Sequence, residues 1–246
     1  MAKFSVIVAA AGKSSRFRDQ HYKKPFAPLA DRAVWLHSVE KFLNRDDVVQ
    51  LILVIAPEDR ESFHSKFAAN VAILGIQVVE GGRERSDSIR KALAHVRPEA
   101  DFVAVHDAAR PCLASEWVDG VFAAAEKTDA AILAIPVAGT LKRASSLSTV
   151  EQTVSRDGLW EAQTPQVFRR QLLLDAYAAL GDDSVTDDAE VVEKFGGTVA
   201  IVRGSPINFK ITSKGDLRFA EHALKALPKP KLLGPANPFA DDDLWR

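Results

Sequence analysis

The chain has 246 residues, with 32 lysines and arginines against 33 aspartates and glutamates and a formal net charge of -1. That balance excludes a protein that coats nucleic acid, which needs a surplus of cations. The single cysteine, Cys112, excludes an intramolecular disulfide framework and a cysteine-based zinc site. No apolar run approaches the roughly 18 residues of a membrane span, and the N-terminal run is too short for a signal peptide. A cytoplasmic, soluble α/β protein is expected.

Strand-length apolar runs recur at residues 4–9, 48–55, 77–79, 102–105 and 130–135. Each is nearly continuous, as in a strand covered on both faces. Helical patterns lie between or after them, at 33–43, 58–68, 86–95 and 115–127. The alternation predicts a parallel sheet with helices on both faces, joined by right-handed crossovers. Three stretches break the rhythm. Residues 10–24 form a long polar loop after the first strand. Residues 137–164 hold no long apolar run, and 149–155 alternate like an exposed strand, so an arm is expected to leave the domain. From Leu227 onward Pro228, Pro230, Pro235 and Pro238 precede Asp241, Asp242 and Asp243. The predicted layout is one domain over 1–227, an arm over about 137–160 and a flexible tail over 228–246.

In such sheets ligands bind beyond the carboxyl ends of the strands. The first such loop carries Ala10, Ala11, Gly12, Lys13, Ser14, Ser15, Arg16 and Phe17, with Lys24 and Pro25 beyond. Small residues let backbone N–H groups approach an anion, and Arg16 and Lys24 add positive charge. Neither a Walker A sequence nor a dinucleotide fingerprint is present. Gly81 and Gly82 precede a helix beginning near Ser86, Asp87 and Ser88. They suit either a ligand reached by backbone or a plain strand end with a helix cap. Asp107, after the strand at 102–105, is placed either to hold Mg²⁺ against phosphates or to form a turn. Arg110 is placed to bind a second phosphate.

Ala10-Ala11-Gly12-x-x-x-Arg16-Phe17 followed by Lys24-Pro25 resembles the signature of sugar nucleotidyltransferases, which has a second glycine where this chain has Ser14. The run His106-Asp107-Ala108-Ala109-Arg110-Pro111 narrows the resemblance. It is similar to the 2-C-methyl-D-erythritol 4-phosphate cytidylyltransferase family and its close relatives, the ribitol-5-phosphate cytidylyltransferases. Ile135-Pro136-Val137-x-x-Thr140-x-Lys142, Thr153-Val154-x-Arg156-x-Gly158-Leu159-Trp160 and Gln163-Thr164-Pro165-Gln166-x-Phe168 continue it. Thr186-Asp187-Asp188-Ala189 and Asn208-Phe209-Lys210-Ile211-Thr212 carry it to about residue 226.

The resemblance implies a Rossmann-like, mostly parallel sheet with a β-arm used in homodimerisation. It also implies transfer of a cytidylyl group from CTP to a polyol phosphate, with Mg²⁺ or another divalent cation. A phosphate monoester has a second pKa near 6, so the nucleophile is already largely ionised at neutral pH and needs no general base. Positioning and fixed cations then supply most of the catalysis.

By this resemblance Arg16, Lys24 and Lys210 are catalytic. Ala10, Ala11, Gly12, Gly82, Arg85, Ser88 and Asp107 face CTP, with Asp107 also the candidate metal ligand. Arg110, Thr164 and Thr186 line the polyol phosphate pocket, and Thr140 and Arg156 reach it from a second subunit. The resulting picture is a neutral surface with one cationic cleft, its balancing acids elsewhere. The competing readings are a ribitol-phosphate acceptor, a non-catalytic nucleotide-binding module and a nicotinamide oxidoreductase. His21, His37, His64, His95 and His222 lack metal spacing and are expected at the surface or an interface. Cys112 reads as a buried small hydrophobe. Trp35, Trp117 and Trp160 read as packing residues.

Overall fold

The computed structural model describes residues 1–14, 17, 22–181 and 183–228. Arg16 and His21 fall outside the described residues, as does all of the expected tail beyond Pro228.

The first strand, β1 (Phe4–Ala9), is buried along nearly its whole length. Its neighbours are β4 (Val48–Ile55) and β6 (Phe102–Asp107), both parallel to it. With β5 (Gln77–Glu80), β7 (Ala130–Pro136), β10 (Trp160–Arg169) and β11 (Ala200–Arg203) they form a seven-stranded sheet ordered β11-β7-β10-β6-β1-β4-β5. Successive residues of a strand point to opposite faces. Phe4, Val6 and Val8 therefore enter one core, with Trp35, Phe63 and Val118. Ile7 enters the other, with Ile52, Ile89 and Leu173. The apolar runs of β1, β4, β6 and β7 are strands covered on both sides, whereas the run at 77–79 is the edge strand β5, which buries Val79 and leaves Val78 exposed.

The helices follow the expected order with shifted ends. Helix α1 is Val34–Glu40 and α2 is Arg60–Leu74, the latter closed by Gly75 in the left-handed conformation. Helices α3 (Arg85–Leu93) and α4 (Ser115–Thr128) lie close to their predicted spans. Past the arm come α5 (Arg170–Ala179), α6 (Asp188–Lys194) and α7 (Lys214–Lys225). A small ribbon of β2 (Pro28–Leu29) and β3 (Arg32–Ala33) precedes α1.

The sheet is mostly parallel, as the resemblance implies, with one exception. β10 runs antiparallel to both β6 and β7. The chain leaves the sheet at the end of β7, forms a hairpin of β8 (Leu141–Ala144) and β9 (Val150–Val154), and returns beside β7, with Trp160 opposite Pro136. No helix intervenes, so no crossover can restore the parallel direction. The reversal brings the amino half of β10 to the carboxyl ends of the parallel strands.

That half is polar yet buried: Gln163, Thr164 and Gln166 are all at most 4% exposed. Gln166 Oε1 accepts the backbone N–H groups of Asp188 and Ala189, and its Nε2 donates to Asp187 Oδ2 at 2.8 Å. A β10 side chain thus caps the free N–H groups at the start of α6. A third, smaller core of Phe17, Leu29, Val34, Cys112, Ile211 and Ala220 packs below the first loop. Cys112 is fully buried there, and burial pushes its thiol up to about 12.

Two minor expectations are also corrected. His37 is buried, its Nε2 lying 2.9 Å from the Leu29 carbonyl. Trp160 is 41% exposed where the arm meets the sheet. Replacing Gln166 with leucine strands two buried N–H groups and should cost at least about 2 kcal/mol. Equilibrium guanidinium unfolding of Gln166→Leu measures this, and an unchanged midpoint would contradict the capping role.

Candidate active site

A cleft of about 270 Å³ opens at the carboxyl ends of β1, β5 and β6. One wall is the backbone of Ala10, Ala11 and Gly12. A second wall is the turn between β5 and α3, and it is close-fitting. A Cβ on Gly82 would stand 2.4 Å from Asp87 Cβ, and one on Gly81 would stand 2.7 Å from Ser88 Oγ. Only glycine allows this approach. Ser88 Oγ accepts from Gly82 N–H and donates to Glu84 O, while Glu84 and Asp87 cap each other at the helix start. Of the two openings left by the sequence, helix capping and ligand approach, the capping is realised, and Gly82, Arg85 and Ser88 also line the cleft.

Asp107 ends β6 on the cleft floor, 6% exposed. Lys210 Nζ lies 2.7 Å from its Oδ2, Arg110 Nε 3.6 Å from the same oxygen, and Arg85 Nε 3.9 Å from Oδ1. Burial alone would raise its pKa; the charges of Lys210, Arg85 and Arg110 outweigh that and hold the carboxyl well below the usual carboxylate range. Arg85 is fixed from behind. Its Nη2 lies 2.6 Å from Oδ2 of the fully buried Asp188, whose Oδ1 accepts from Tyr177 Oη at 2.6 Å. Burial disfavours the Arg85 charge, but Asp188 and Asp107 more than restore it and raise its pKa.

The sequence places the balancing acids elsewhere. In the structure two of them, Asp107 and Asp188, stand among the cations.

Ala10, Ala11, Gly12, Lys24, Gly82, Arg85, Ser88, Asp107 and Lys210 all line the cleft. Arg16 lies outside the described residues. Five others stand apart. Arg110 donates from Nη1 to Asn208 O at 2.7 Å and from Nη2 to Ala162 O, so its guanidinium braces Asp107 instead of opening to a second phosphate. Thr164 is buried beneath Asp107, accepting its backbone N–H at 3.0 Å. Thr186 is spent on Glu190 Oε2, through both its N–H and its hydroxyl. Thr140 and Arg156 are exposed on the arm, where Arg156 donates to Ala138 O.

Residue-by-residue reading missed Asp188, Tyr177 and Gln166 as supports. The motifs carrying Asp188 and Gln166 were visible, but their roles depend on contacts across the fold.

His106 is sealed in a chain of hydrogen bonds. Asp107 N–H donates to Thr164 Oγ1, which lies 3.1 Å from His106 Nδ1, and His106 Nε2 lies 3.1 Å from Arg110 O. The carbonyl can only accept, so Nε2 carries the proton and the threonine hydroxyl donates to Nδ1. Burial pushes the imidazole down to about 4, against the opposing pull of Asp107.

A sheet with its cleft at the parallel strand ends, walled by backbone and floored by paired cations, defines the chain as an α/β nucleotidyltransferase. A family model, "2-C-methyl-D-erythritol 4-phosphate cytidylyltransferase", matches residues 4–226, and the chain belongs to that family of cytidylyltransferase enzymes. The protein of that name from Rhodopirellula baltica is 41% identical over 234 residues, covering 91% of this chain and 95% of its own. A "Bifunctional enzyme IspD/IspF" from Rhodospirillum rubrum is 40% identical over 92% of this chain, which spans 58% of that longer protein. Among solved structures, the 4-diphosphocytidyl-2C-methyl-D-erythritol synthase of Anaerococcus prevotii superposes with a TM-score of 0.76. Its sequence is 27% identical, and the match covers 91% of this chain and 96% of that one.

The depressed His106 value fixes a pH window. The unfolded histidine takes up a proton near 6.5 and the folded one near 4, so stability falls as pH falls between them. The loss should total about 3 kcal/mol. Asp107 contributes in the same direction only below about 3.8 and leaves this window clear. Urea unfolding at pH 7 and pH 4.5 should show most of the loss in the parent protein and little of it in His106→Gln.

Proposed function

We propose that the chain transfers the cytidylyl group of CTP to 2-C-methyl-D-erythritol 4-phosphate, giving 4-diphosphocytidyl-2-C-methyl-D-erythritol and diphosphate. The observation that carries this reading is the convergence of Lys24, Lys210 and Arg85 on one backbone-walled cleft in a chain of this family. A phosphate oxygen of the acceptor attacks the α-phosphorus of CTP. The bond to the oxygen bridging the α- and β-phosphorus breaks, and its electron pair leaves on diphosphate. No side chain need take a proton, because the acceptor phosphate is already ionised.

The difficulty is anion meeting anion. Lys24, together with Arg16, neutralises the triphosphate as charge grows on the bridging oxygen, and Lys210 does so beside the acceptor. Ala10, Ala11 and Gly12 present backbone groups to CTP, and Gly82, Arg85 and Ser88 take the base and ribose. Arg110 and Thr164 act here by holding Asp107. Thr186 belongs to the rim of the polyol phosphate pocket.

A divalent cation, Mg²⁺ in the first instance, fits a site with one carboxylate. Such an ion is commonly bound by one or two carboxylates together with substrate phosphates and water. Among the described residues no group of three metal-ligating side chains stands together; Asp107 would be the protein ligand, with the CTP phosphates supplying further oxygens. When bound, the ion neutralises phosphate charge.

Thr140 and Arg156 serve the cleft of a second copy. The arm hairpin exposes Leu147 by 84% and Val150 by 65%, an apolar face suited to burial in a homodimer. A cytoplasmic setting fits a chain whose single thiol is free and buried.

Diphosphate release with CTP, Mg²⁺ and each acceptor tests the reading. Methylerythritol phosphate should support turnover, and Lys210→Ala should lower it at least about 100-fold. Turnover with ribitol 5-phosphate alone would transfer the assignment to that acceptor. Mixing Lys24→Ala and Arg156→Ala subunits, each nearly inactive, should restore about a quarter of the activity if arms are shared across a two-fold dimer. An unrestored mixture would place Arg156 outside the partner's site.

A further inference from the structure

Ser14 stands where the nucleotidyltransferase signature has a glycine, and its backbone takes a conformation that glycine adopts freely, with φ at +51°. The left-handed region is costly for a residue with a Cβ and free for glycine. Retaining serine there calls for a compensating contact, and the hydroxyl supplies one. Ser14 Oγ accepts the backbone N–H of Lys24 at 3.1 Å and directs its own proton toward Gly12 O at 3.4 Å. Its carbonyl accepts Phe17 N–H at 2.9 Å, and Phe17 is 2% exposed in the third core. One side chain therefore ties the loop that begins the cleft to the residue that brings the lysine back to it, ten positions later.

Lys24 stands at the start of a short turn, the three-residue 3-10 turn Lys24–Phe26, whose preceding residue makes no side-chain cap. At the start of such a turn the Lys24 N–H has no partner within the turn itself, and Ser14 Oγ accepts it. The left-handed bend is what swings Ser14 Oγ to meet it. Strain and hydrogen bond are two sides of one arrangement.

We propose that Ser14 is a positioning residue of the transfer reaction: through the Lys24 backbone it fixes where the Lys24 ammonium meets the CTP phosphates. The proposal rests on the CTP reading of the cleft. Two substitutions separate positioning from turn-forming. Ser14→Gly removes the hydroxyl and relieves the bend, whereas Ser14→Ala removes the hydroxyl and keeps the bend. A residue that merely forms the turn predicts that Ser14→Gly equals or exceeds the parent in both melting temperature and turnover.

A positioning residue predicts a split. Ser14→Gly keeps its melting temperature, yet kcat falls about five- to tenfold in both variants, the scale of one lost hydrogen bond. KM for the polyol phosphate stays unchanged, because the affected cation faces the triphosphate. In a Lys24→Ala background Ser14→Ala should change the residual rate by less than about twofold, since coupled residues are not additive. Parent-like kcat in Ser14→Gly, or a full extra loss in the Lys24→Ala background, overturns the proposal. Absence of diphosphate release by the parent protein with CTP and either acceptor instead overturns the CTP reading beneath it.

Discussion

A carboxylate cannot be buried without partners, and the site is built on satisfying that requirement at Asp107. Its strand end delivers it to the cleft floor, and the fold then brings cations to it from three directions. Arg110 comes from the turn just beyond β6, Arg85 from the first turn of α3, and Lys210 from the segment after β11. Each cation is held in turn. Arg85 is held by Asp188 and Tyr177, Arg110 by backbone carbonyls, and Lys210 by the burial of Ile211, whose N–H donates to Ala109 O at 2.8 Å. The cations around Asp107 are thus aligned before any substrate arrives, which is what electrostatic preorganisation requires.

The reversed strand makes this enclosure possible. Parallel neighbours present only their carboxyl ends and the loops beyond them to the cleft. β10, entering from the arm, also presents its beginning, and so Thr164 sits directly under Asp107 and Gln166 reaches α6. The cap from Gln166 fixes the start of α6 and therefore Asp188, which fixes Arg85. A route of hydrogen bonds runs from the strand that carries the arm to the cation on the cleft floor. The polar character of this strand follows: its side chains are spent on neighbouring elements and not on an apolar core.

Those same contacts explain what was legible in the sequence. Strands β1, β4, β6 and β7 announce themselves because both faces are covered and nearly every residue is apolar. The strand β10 does not, since Gln163, Thr164, Pro165 and Gln166 read as a polar connection until their partners are known. The cleft residues on short local motifs, Ala10 to Gly12, Gly82 to Ser88 and Asp107, were visible because loop chemistry is local. Lys210 was visible through resemblance alone. Arg110 and Thr186 were visible as residues, but their partners, Asn208 O and Glu190, are set by tertiary packing and local capping that a motif match does not specify. Ser14 looked like a departure from pattern; its hydroxyl shows how the departure is accommodated.

Cys112 has no part in the chemistry, yet its position gives the molecule a built-in reporter. It is the only thiol in the chain, fully buried in the small core that anchors Phe17 on one side of the cleft and Ile211 on the other. A thiol reagent reaches it only when that core opens, so the rate of modification counts openings of the cleft's foundation separately from unfolding of the main sheet. A bound nucleotide that draws the two sides together would slow the clock, and one that leaves the foundation untouched would not.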